Sequence, residues 1–137
     1  MSKEAKQVIV VRTKYPDKIN GLRKIRTGKL MAQACHASTS WLAGLVRSII
    51  ENDKKPNLNE FENQWVFGRF KKICVGVSSE GELQEIYEKA KNAGLNVSKI
   101  VDAGLTEFGG EATLTCVGIG PNDPDEIDKI TGGLPLL

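Results

Sequence analysis

Apolar residues occur along the chain in short blocks, and the period of each block predicts its secondary structure. The segment Lys6 to Thr13 (KQVIVVRT) is an almost continuous run rich in β-branched residues, which is typical of a strand buried on both faces of a sheet. Lys71 to Ser78 and Thr113 to Pro121 have the same character, and Val97 to Gly104 runs from a strand into a turn. The pattern therefore predicts four strands.

A different period, with steps of three and four residues, occupies the region from about Gly28 to Glu51 and predicts one long helix. The expected packing face consists of small and apolar residues: Leu30, Ala34, Ala37, Trp41, Gly44, Leu45 and Ser48. This helix is the longest element that the sequence predicts.

Two shorter helices are marked by their end signals. The capping box Ser79-Glu80-Gly81-Glu82 begins one helix, and Gly94 ends it. Asp123-Pro124 begins the last helix, which stops at Gly132-Gly133. The connector between the long helix and the second strand is expected to hold a short helical piece around Leu58 to Gln64.

The order β-α-β-α-β-β-α predicts an α/β fold: a single three-layer α/β/α domain over residues 1–137, with a small mixed sheet of about four strands. The sheet is expected to be mixed because the third and fourth strands are joined too closely for a helical crossover. We expect the first and third strands to be neighbours, so that the start of the long helix faces Asp102. The polar stretch from Lys14 to Thr27 is predicted to be a loop.

Composition narrows the class of protein. With 137 residues, 40% hydrophobic and 26% charged, the chain is typical of one folded domain. No apolar run approaches the length of a membrane span and the start of the chain is polar, so we expect a cytoplasmic protein with no membrane partner. Cys35, Cys74 and Cys116 are too widely spaced to indicate a disulfide framework or a zinc site, and we expect buried, reduced thiols.

Positive charge is concentrated near the start of the chain, although the net charge is only +2. Residues 1–50 contain ten Lys or Arg against Glu4 and Asp17, whereas residues 51–137 contain nine against fifteen acids. Most of the excess lies in one cluster: Arg12, Lys14, Lys18, Arg23, Lys24, Arg26 and Lys29. Such a cluster indicates either a phosphate-binding patch or a solvated basic loop, and charge alone does not distinguish them.

The first candidate site lies on the opening turns of the long helix. A nucleotide-binding phosphate loop is excluded there, because Gly21 and Gly28 are wrongly spaced and Leu30 stands where a magnesium-binding Ser or Thr is needed. Lys29, Gln33 and His36 are spaced i, i+4 and i+7 and so share one helix face, where they can converge on a ligand. The alternative is a solvated lysine, a surface amide and a structural histidine.

The second candidate site is Asp102-Ala-Gly-Leu-Thr106, at the carboxyl end of the third strand. In α/β sheets, ligands bind at that end of the strands, and an aspartate there can be presented beside backbone amides. The alternative is an aspartate that closes a turn. Neither candidate names a reaction by itself.

Together these segments resemble one family, the type II peptidyl-tRNA hydrolases of archaea and eukaryotes. The matching pieces are VIVVRT, GKLMAQACHAS with its G-K-x3-Q-x2-H-A spacing, KKICVGV with SSEGELQEIYEKAKNAGL, DAGLTEF, TLTCVGIGP and EIDKITGGLPLL. They follow one another at fitting distances over nearly the whole chain. The resemblance implies a compact α/β/α domain, often dimeric, that needs no metal or organic cofactor and hydrolyses the ester between a peptide and the terminal ribose of tRNA.

The resemblance also implies roles for the two candidate sites. Asp102 orients or deprotonates water, and Lys29 holds a phosphate or the developing oxyanion, while Gln33, Thr106 and Thr113 offer neutral hydrogen bonds. His36 is the second candidate for the base. Within the basic cluster, four residues are expected to bind the tRNA: Lys18, Arg23, Lys24 and Arg26.

Several positions depart from the family pattern. Leu105 and Glu107 stand where the family usually has Arg and Gln, an extra residue lies near Gly109 to Glu111, the stretch from Lys14 to Thr27 is long, and the ending GGLPLL is unusual. These departures leave two alternatives open. One is a non-catalytic module on the same fold that binds tRNA or RNA ends, and the other is a hydrolase of small esters or amides.

Overall fold

The computed structural model describes residues 3–17, 21–104 and 111–137. In chain order, the elements are β1 (Lys6–Arg12), β2 (Lys14–Asp17), β3 (Gly21–Lys24), α1 (Thr27–Asn52), α2 (Glu60–Phe67), β4 (Lys72–Val77), α3 (Glu80–Asn92), β5 (Val97–Asp102), β6 (Thr113–Asn122) and α4 (Pro124–Thr131). The four strands, the long helix and the shorter helices expected from the sequence are confirmed. None of the helices in the described ranges is long and apolar enough to span a membrane.

The main sheet has the strand order β4-β1-β6-β5. β1 pairs in parallel with β4 and antiparallel with β6, and β5 pairs antiparallel with β6, so the predicted mixed sheet is confirmed. The expectation that the first and third strands are neighbours is wrong. β6 is ten residues long and almost wholly buried, and it pairs on both edges, which places it between β1 and β5.

Two apolar clusters fill the two faces of this sheet and confirm the three-layer arrangement. On one face, Val8 and Val10 of β1 pack with α3 and α4 through Leu83 and Ile127, among others. On the other face, Ile9 and Val11 of β1 pack with Ala37 of α1 and Cys116 of β6. Because alternate residues of a strand point to opposite faces, the continuous apolar run of β1 supplies both clusters.

The stretch from Lys14 to Thr27 was expected to be a loop, and this is wrong in part. β2 and β3 form a separate antiparallel hairpin in which Lys14 lies opposite Lys24. The strands have only four residues each, are mostly polar and include Pro16. They therefore lack the alternation of apolar and polar residues from which a strand is predicted. Tyr15 anchors the hairpin: it is 2% exposed, and the guanidinium of Arg12 lies 4.4 Å from its ring centroid.

Helix α1 approaches β6 unusually closely. A Cβ added to Gly118 would lie 2.6 Å from the carbonyl oxygen of Ala37, so only glycine allows this separation. The predicted packing face of α1 is confirmed at Leu30, Ala34 and Ala37, which belong to the cluster on this side of the sheet. It is wrong at Gly44 and Ser48, which are exposed, and Gln33 is buried although it was not expected to be.

The three cysteines are free, but they are not all buried as expected. Cys116 is buried and Cys74 is partly buried, both on the α1 face of the sheet. Cys35 is exposed, because it lies on α1 beside residues that face the sheet rather than among them.

Candidate active site

The carboxylate of Asp102, at the carboxyl end of β5, is the centre of a polar cluster. Its Oδ2 lies 2.6 Å from Nζ of Lys29 and accepts a hydrogen bond from Nε2 of Gln33 at 2.7 Å. Its Oδ1 accepts a hydrogen bond from the backbone amide of Gly104 at 2.7 Å. The side chains of Lys29 and Asp102 are 18% and 12% exposed, so the ion pair is largely shielded but still open to a ligand.

Gln33 is held in place from its other side. Its Oε1 accepts a hydrogen bond from the hydroxyl of Thr115 at 2.9 Å, and Thr115 is fully buried. With the carbonyl oxygen fixed by Thr115, the amide nitrogen of Gln33 is directed at Asp102. The buried row Thr115, Gln33, Asp102 therefore fixes the orientation of the carboxylate.

A bulge in β6 brings Thr115 into this row. Ile100 pairs with Cys116 and the next residue, Val101, pairs with Leu114, so Thr115 is the extra residue on β6. The bulge places Thr115 and Cys116 on the same face, since Thr115 bonds Gln33 of α1 and Cys116 packs in the α1 cluster. Bulges of this kind re-aim side chains and are frequent beside active sites.

Helix α1 supplies the cation and the amide from one face. Lys29 and Gln33 are one turn apart, so their side chains lie on the same side of the helix. The close contact between Ala37 and Gly118 seats the next turn of that face directly on β6. The absence of a side chain at Gly118 therefore determines the distance between α1 and the sheet, and with it the positions of Gln33 and Lys29 relative to Asp102.

The turn after β5 depends on Gly104. Its φ is +83°, which favours glycine, and a Cβ there would overlap the backbone of Glu111. In this conformation the amide of Gly104 points back at the aspartate side chain two residues earlier, as in an Asx-turn. Asp102 therefore closes a turn through Oδ1, as one of the two hypotheses expected, and Oδ2 is left for the donors of α1. The hypothesis that Asp102 binds a ligand stays a prediction.

The cluster favours the ionised form of Asp102. The bond from Lys29, then the amide of Gly104, hold the pKa of Asp102 below its ordinary value of 3.8, against the opposing effect of burial. A carboxylate has about four lone-pair directions, and three donors occupy this one. The remaining direction, on Oδ1, can hold a water molecule.

Comparison with known proteins identifies the family to which the chain is similar. The model of the family described as peptidyl-tRNA hydrolase PTH2 matches residues 5–137. The chain belongs to the PTH2 family. The resemblance to the type II enzymes is therefore confirmed over almost the whole chain.

Curated relatives in the archaea agree with the family match. The chain is 42% identical to a peptidyl-tRNA hydrolase of Methanothermobacter thermautotrophicus over 96% of this chain and 99% of the relative. It is 42% identical to a peptidyl-tRNA hydrolase of Staphylothermus marinus, over 98% and 96% of the two chains. A solved structure of a protein of unknown function from Agrobacterium tumefaciens strain C58 is 12% identical with a TM-score of 0.55, over 99% of both chains, and indicates a shared fold alone.

Within this PTH2 domain, the other expected site residues occupy different places. Thr113 lies opposite Asp102 in the β5–β6 ladder, so both side chains are on the α1 face, and its hydroxyl donates to the carbonyl of Glu111. Arg26 is exposed and forms the N-cap of α1. Arg23 and Lys24 belong to β3, whereas Lys18 and Thr106 lie outside the described residues.

His36 does not join the cluster in the way that Lys29 and Gln33 do. Its side chain is exposed, and within the described ranges no hydrogen bond or ion pair connects it to Asp102 or Gln33. Two of the three side chains, those of Lys29 and Gln33, therefore meet at Asp102, and their convergence on a ligand stays a prediction. The role of His36 stays a prediction.

Sequence reasoning missed Thr115, Arg12 and Tyr15 as residues that support the site. Arg12 is 5% exposed and donates to the carbonyls of Lys14 and Leu114, next to the bulge at Thr115. Burial raises the pKa of Tyr15 to about 12, and its hydroxyl contacts the carbonyl of Arg12 at 3.3 Å. The available signal was weak: an arginine that directly continues a buried strand has to find buried acceptors.

Proposed function

We propose that this protein hydrolyses the ester bond of peptidyl-tRNA and releases free tRNA and peptide. The observation that carries the proposal is the pairing of Asp102 with Lys29 and Gln33 in a chain that belongs to the PTH2 family. Ester hydrolysis needs a positioned water and a stabiliser for the oxyanion, and these residue types supply both.

In this mechanism a water molecule occupies the remaining lone-pair direction of Asp102. As the water attacks the ester carbonyl, Asp102 orients it and accepts its proton, and the ammonium of Lys29 stabilises the negative charge that develops on the carbonyl oxygen. The bond to the ribose oxygen then breaks, and that oxygen takes the proton. The products are a peptide carboxylic acid and a tRNA with a free terminal hydroxyl.

The neutral groups are assigned to positioning. Gln33 holds the carboxylate, Thr113 lies across the ladder from it, and Thr106 is expected to bond the substrate near the scissile ester. His36 remains the second candidate for the base, because imidazole is the side chain that most often serves as a general base and His36 shares a helix with Lys29.

The tRNA-binding surface is assigned to the basic region that precedes α1. The hairpin of β2 and β3 leads from the end of β1 to Arg26 at the N-cap of α1, one turn before Lys29. Lys18, Arg23, Lys24 and Arg26 are proposed to contact phosphates of the tRNA 3′ end, which brings the ester to Asp102. Translation produces this substrate in the cytoplasm, so we assign the activity to that compartment.

A homodimer is proposed from the exposed side of α1. Val46 and Ile50 are 48% and 75% exposed and line a shallow apolar groove with Leu42 and Ala43. A second copy of this chain would cover the groove and remove these side chains from water. Light scattering of the native chain and of Ile50→Asp tests this: a dimer that becomes monomeric supports it, and a monomeric native chain contradicts it.

The function is tested by turnover of N-acetyl-aminoacyl-tRNA, with the same amino acid as a small alkyl ester for comparison. We expect hydrolysis of the tRNA ester, inhibition by added salt, and no comparable rate on the small ester. Salt-sensitive tRNA binding without turnover would favour the non-catalytic module. Turnover of the small ester at an equal, salt-independent rate would favour a small-ester hydrolase.

A further inference from the structure

The two edge strands of the main sheet, β4 and β5, differ in whether another segment pairs with their outer sides. At the β4 edge, the end of the chain covers the strand: Gly76 donates to the carbonyl of Pro135 at 3.0 Å, and Leu137 donates to the carbonyl of Cys74 at 3.1 Å. At the other edge, β5 pairs with β6 on its inner side only, and no strand among the described residues pairs with its outer side. An open edge of this kind is a template for another extended chain.

The backbone groups that face outward on β5 can be identified. The carbonyl of Asn96, just before β5, accepts a hydrogen bond from the backbone amide of Gly120 of β6. Backbone groups alternate in direction along a strand, so the even-numbered residues face β6. The N–H and C=O groups of Val97, Lys99 and Val101 therefore point to the outer edge.

This edge leads directly into the active site. Val101 is 53% exposed and immediately precedes Asp102. From Val97 to Val101 the strand spans about 13 Å, at roughly 3.3 Å per residue, which is enough to accompany about five residues of an extended peptide.

We propose that the peptide part of the substrate adds to the outer edge of β5 as an extra strand; this inference rests on the proposed hydrolysis of peptidyl-tRNA. The esterified end of that peptide is its carboxyl end, which lies at Asp102. The peptide therefore runs toward Asp102 in the same direction as β5, and the pairing is parallel. Its hydrogen bonds involve backbone alone, so peptides of any sequence are accepted.

Substrates test the pairing first. We expect kcat/KM to rise with peptide length over the first few residues attached to the tRNA and then to level off near five. In parallel pairing, alternate peptide residues direct both their N–H and C=O at β5. N-methylation of those residues should lower kcat/KM about five-fold per lost hydrogen bond, and methylation of the intervening residues should have little effect.

A matched pair of variants tests the enzyme side. Lys99→Pro removes an outward N–H, which an edge strand tolerates because that group is not part of the β6 ladder. Lys99→Ala also loses the contact of the ammonium with the Tyr87 ring, which is 4.9 Å away, but keeps the N–H. We expect Lys99→Pro to flatten the length dependence and Lys99→Ala to retain it, with circular dichroism and melting curves establishing that both fold.

Failure of the edge-pairing proposal and failure of the proposed hydrolase function give different experimental results. Turnover of N-acetyl-aminoacyl-tRNA with no dependence on peptide length or alternate methylation would overturn the edge proposal and leave the hydrolase intact. Absence of turnover on every peptidyl-tRNA would overturn the proposed function itself. A dimer that Lys99→Pro converts to monomer, without any change in length dependence, would assign the edge to a second copy and also overturn the proposal.

Discussion

Gln33 donates its side-chain amide to Oδ2 of Asp102 over 2.7 Å, although the two residues are 69 positions apart in the chain. The same oxygen is 2.6 Å from Nζ of Lys29, so α1 contributes two donors to one carboxylate oxygen. The consequence is a carboxylate whose position depends on how α1 is seated on the sheet. The chemistry of Asp102 and the packing that holds it can therefore be altered by separate substitutions.

Asp102→Asn should lower kcat by about 100-fold or more, on the scale of general-base catalysis, while tRNA affinity and the melting curve change much less. The amide has the size of the carboxylate but neither its charge nor its proton-accepting power. Single-turnover hydrolysis and filter binding measure the two effects. Asp125→Asn, an exposed carboxylate paired with Lys3, is the control and should be fully active.

The pH dependence of kcat/KM distinguishes Asp102 from His36 as the base. The pKa of Asp102 is held below 3.8, so a rate that needs its ionised form stays constant down to about pH 4 and falls only below it. A rate that needs a neutral imidazole as its base would instead show an acid limb at higher pH, because imidazole is the side chain that ordinarily changes charge between pH 5 and 8. We expect the first profile, with a loss of no more than a few-fold in His36→Ala; an acid limb between pH 5 and 8 that disappears in His36→Ala would make His36 the base.

The same depressed pKa predicts part of the acid denaturation. The stabilisation from ionised Asp102 is present above its ordinary pKa of 3.8, which applies to the unfolded chain, and is lost as the pH falls through the lower folded pKa. The difference in stability between the native chain and Asp102→Asn should therefore shrink below about pH 4. A difference that stays constant from pH 7 to pH 3 would contradict the Lys29 pairing.

Thr115→Val should lower kcat about ten-fold with a smaller change in KM, because Gln33 loses the donor that orients it toward Asp102. Burying an unpartnered amide oxygen should also cost roughly 1–3 kcal/mol in the free energy of unfolding. Thr131→Val is the matched control: it is also a buried threonine, but its hydroxyl bonds the carbonyl of Ile127 within α4. Equal losses of kcat in both variants would show general destabilisation instead of positioning.

Gly118→Ala should reduce both stability and rate, because the new methyl group would meet the backbone of Ala37 and push α1 away from the sheet. Overpacking of this kind costs typically 1–3 kcal/mol. Gly44→Ala, on the same helix and with no atom within 4 Å of the added Cβ, should instead stabilise by roughly 0.5–1 kcal/mol and leave the rate unchanged. Thermal melts and kcat values of the two variants show whether stability and rate depend on the close contact between α1 and β6.

Neutralising the four proposed tRNA contacts, Lys18, Arg23, Lys24 and Arg26, should weaken tRNA binding and flatten its dependence on salt. Each lost phosphate contact lowers the slope of log affinity against log salt by about 0.7 to 0.9. The control replaces four other lysines, Lys54, Lys55, Lys89 and Lys91, and so changes the net charge equally. An identical change in slope for the two sets would show that net charge alone affects binding, and it would contradict direct phosphate contacts by the first set.

The sequence alone determined the four strands of the main sheet, the helices and about half of the candidate site. Periods of two and of three to four residues distinguish strands from helices because burial follows the geometry of each element. Lys29 and Gln33 were found for the same reason, since a spacing of four residues places side chains together on a helix. Asp102 was found because it ends a strand.

The tertiary structure decided what those residues contact. The strand order depends on which edges pair over long distances, and no local pattern encodes that β6 lies between β1 and β5. The bulge that turns Thr115 toward Gln33 and the glycine that seats α1 at Ala37 are likewise fixed by pairing and packing between distant segments. His36 shared the periodicity of Lys29 and Gln33 but is exposed, because helix spacing fixes a direction around the axis and only packing fixes what lies in that direction.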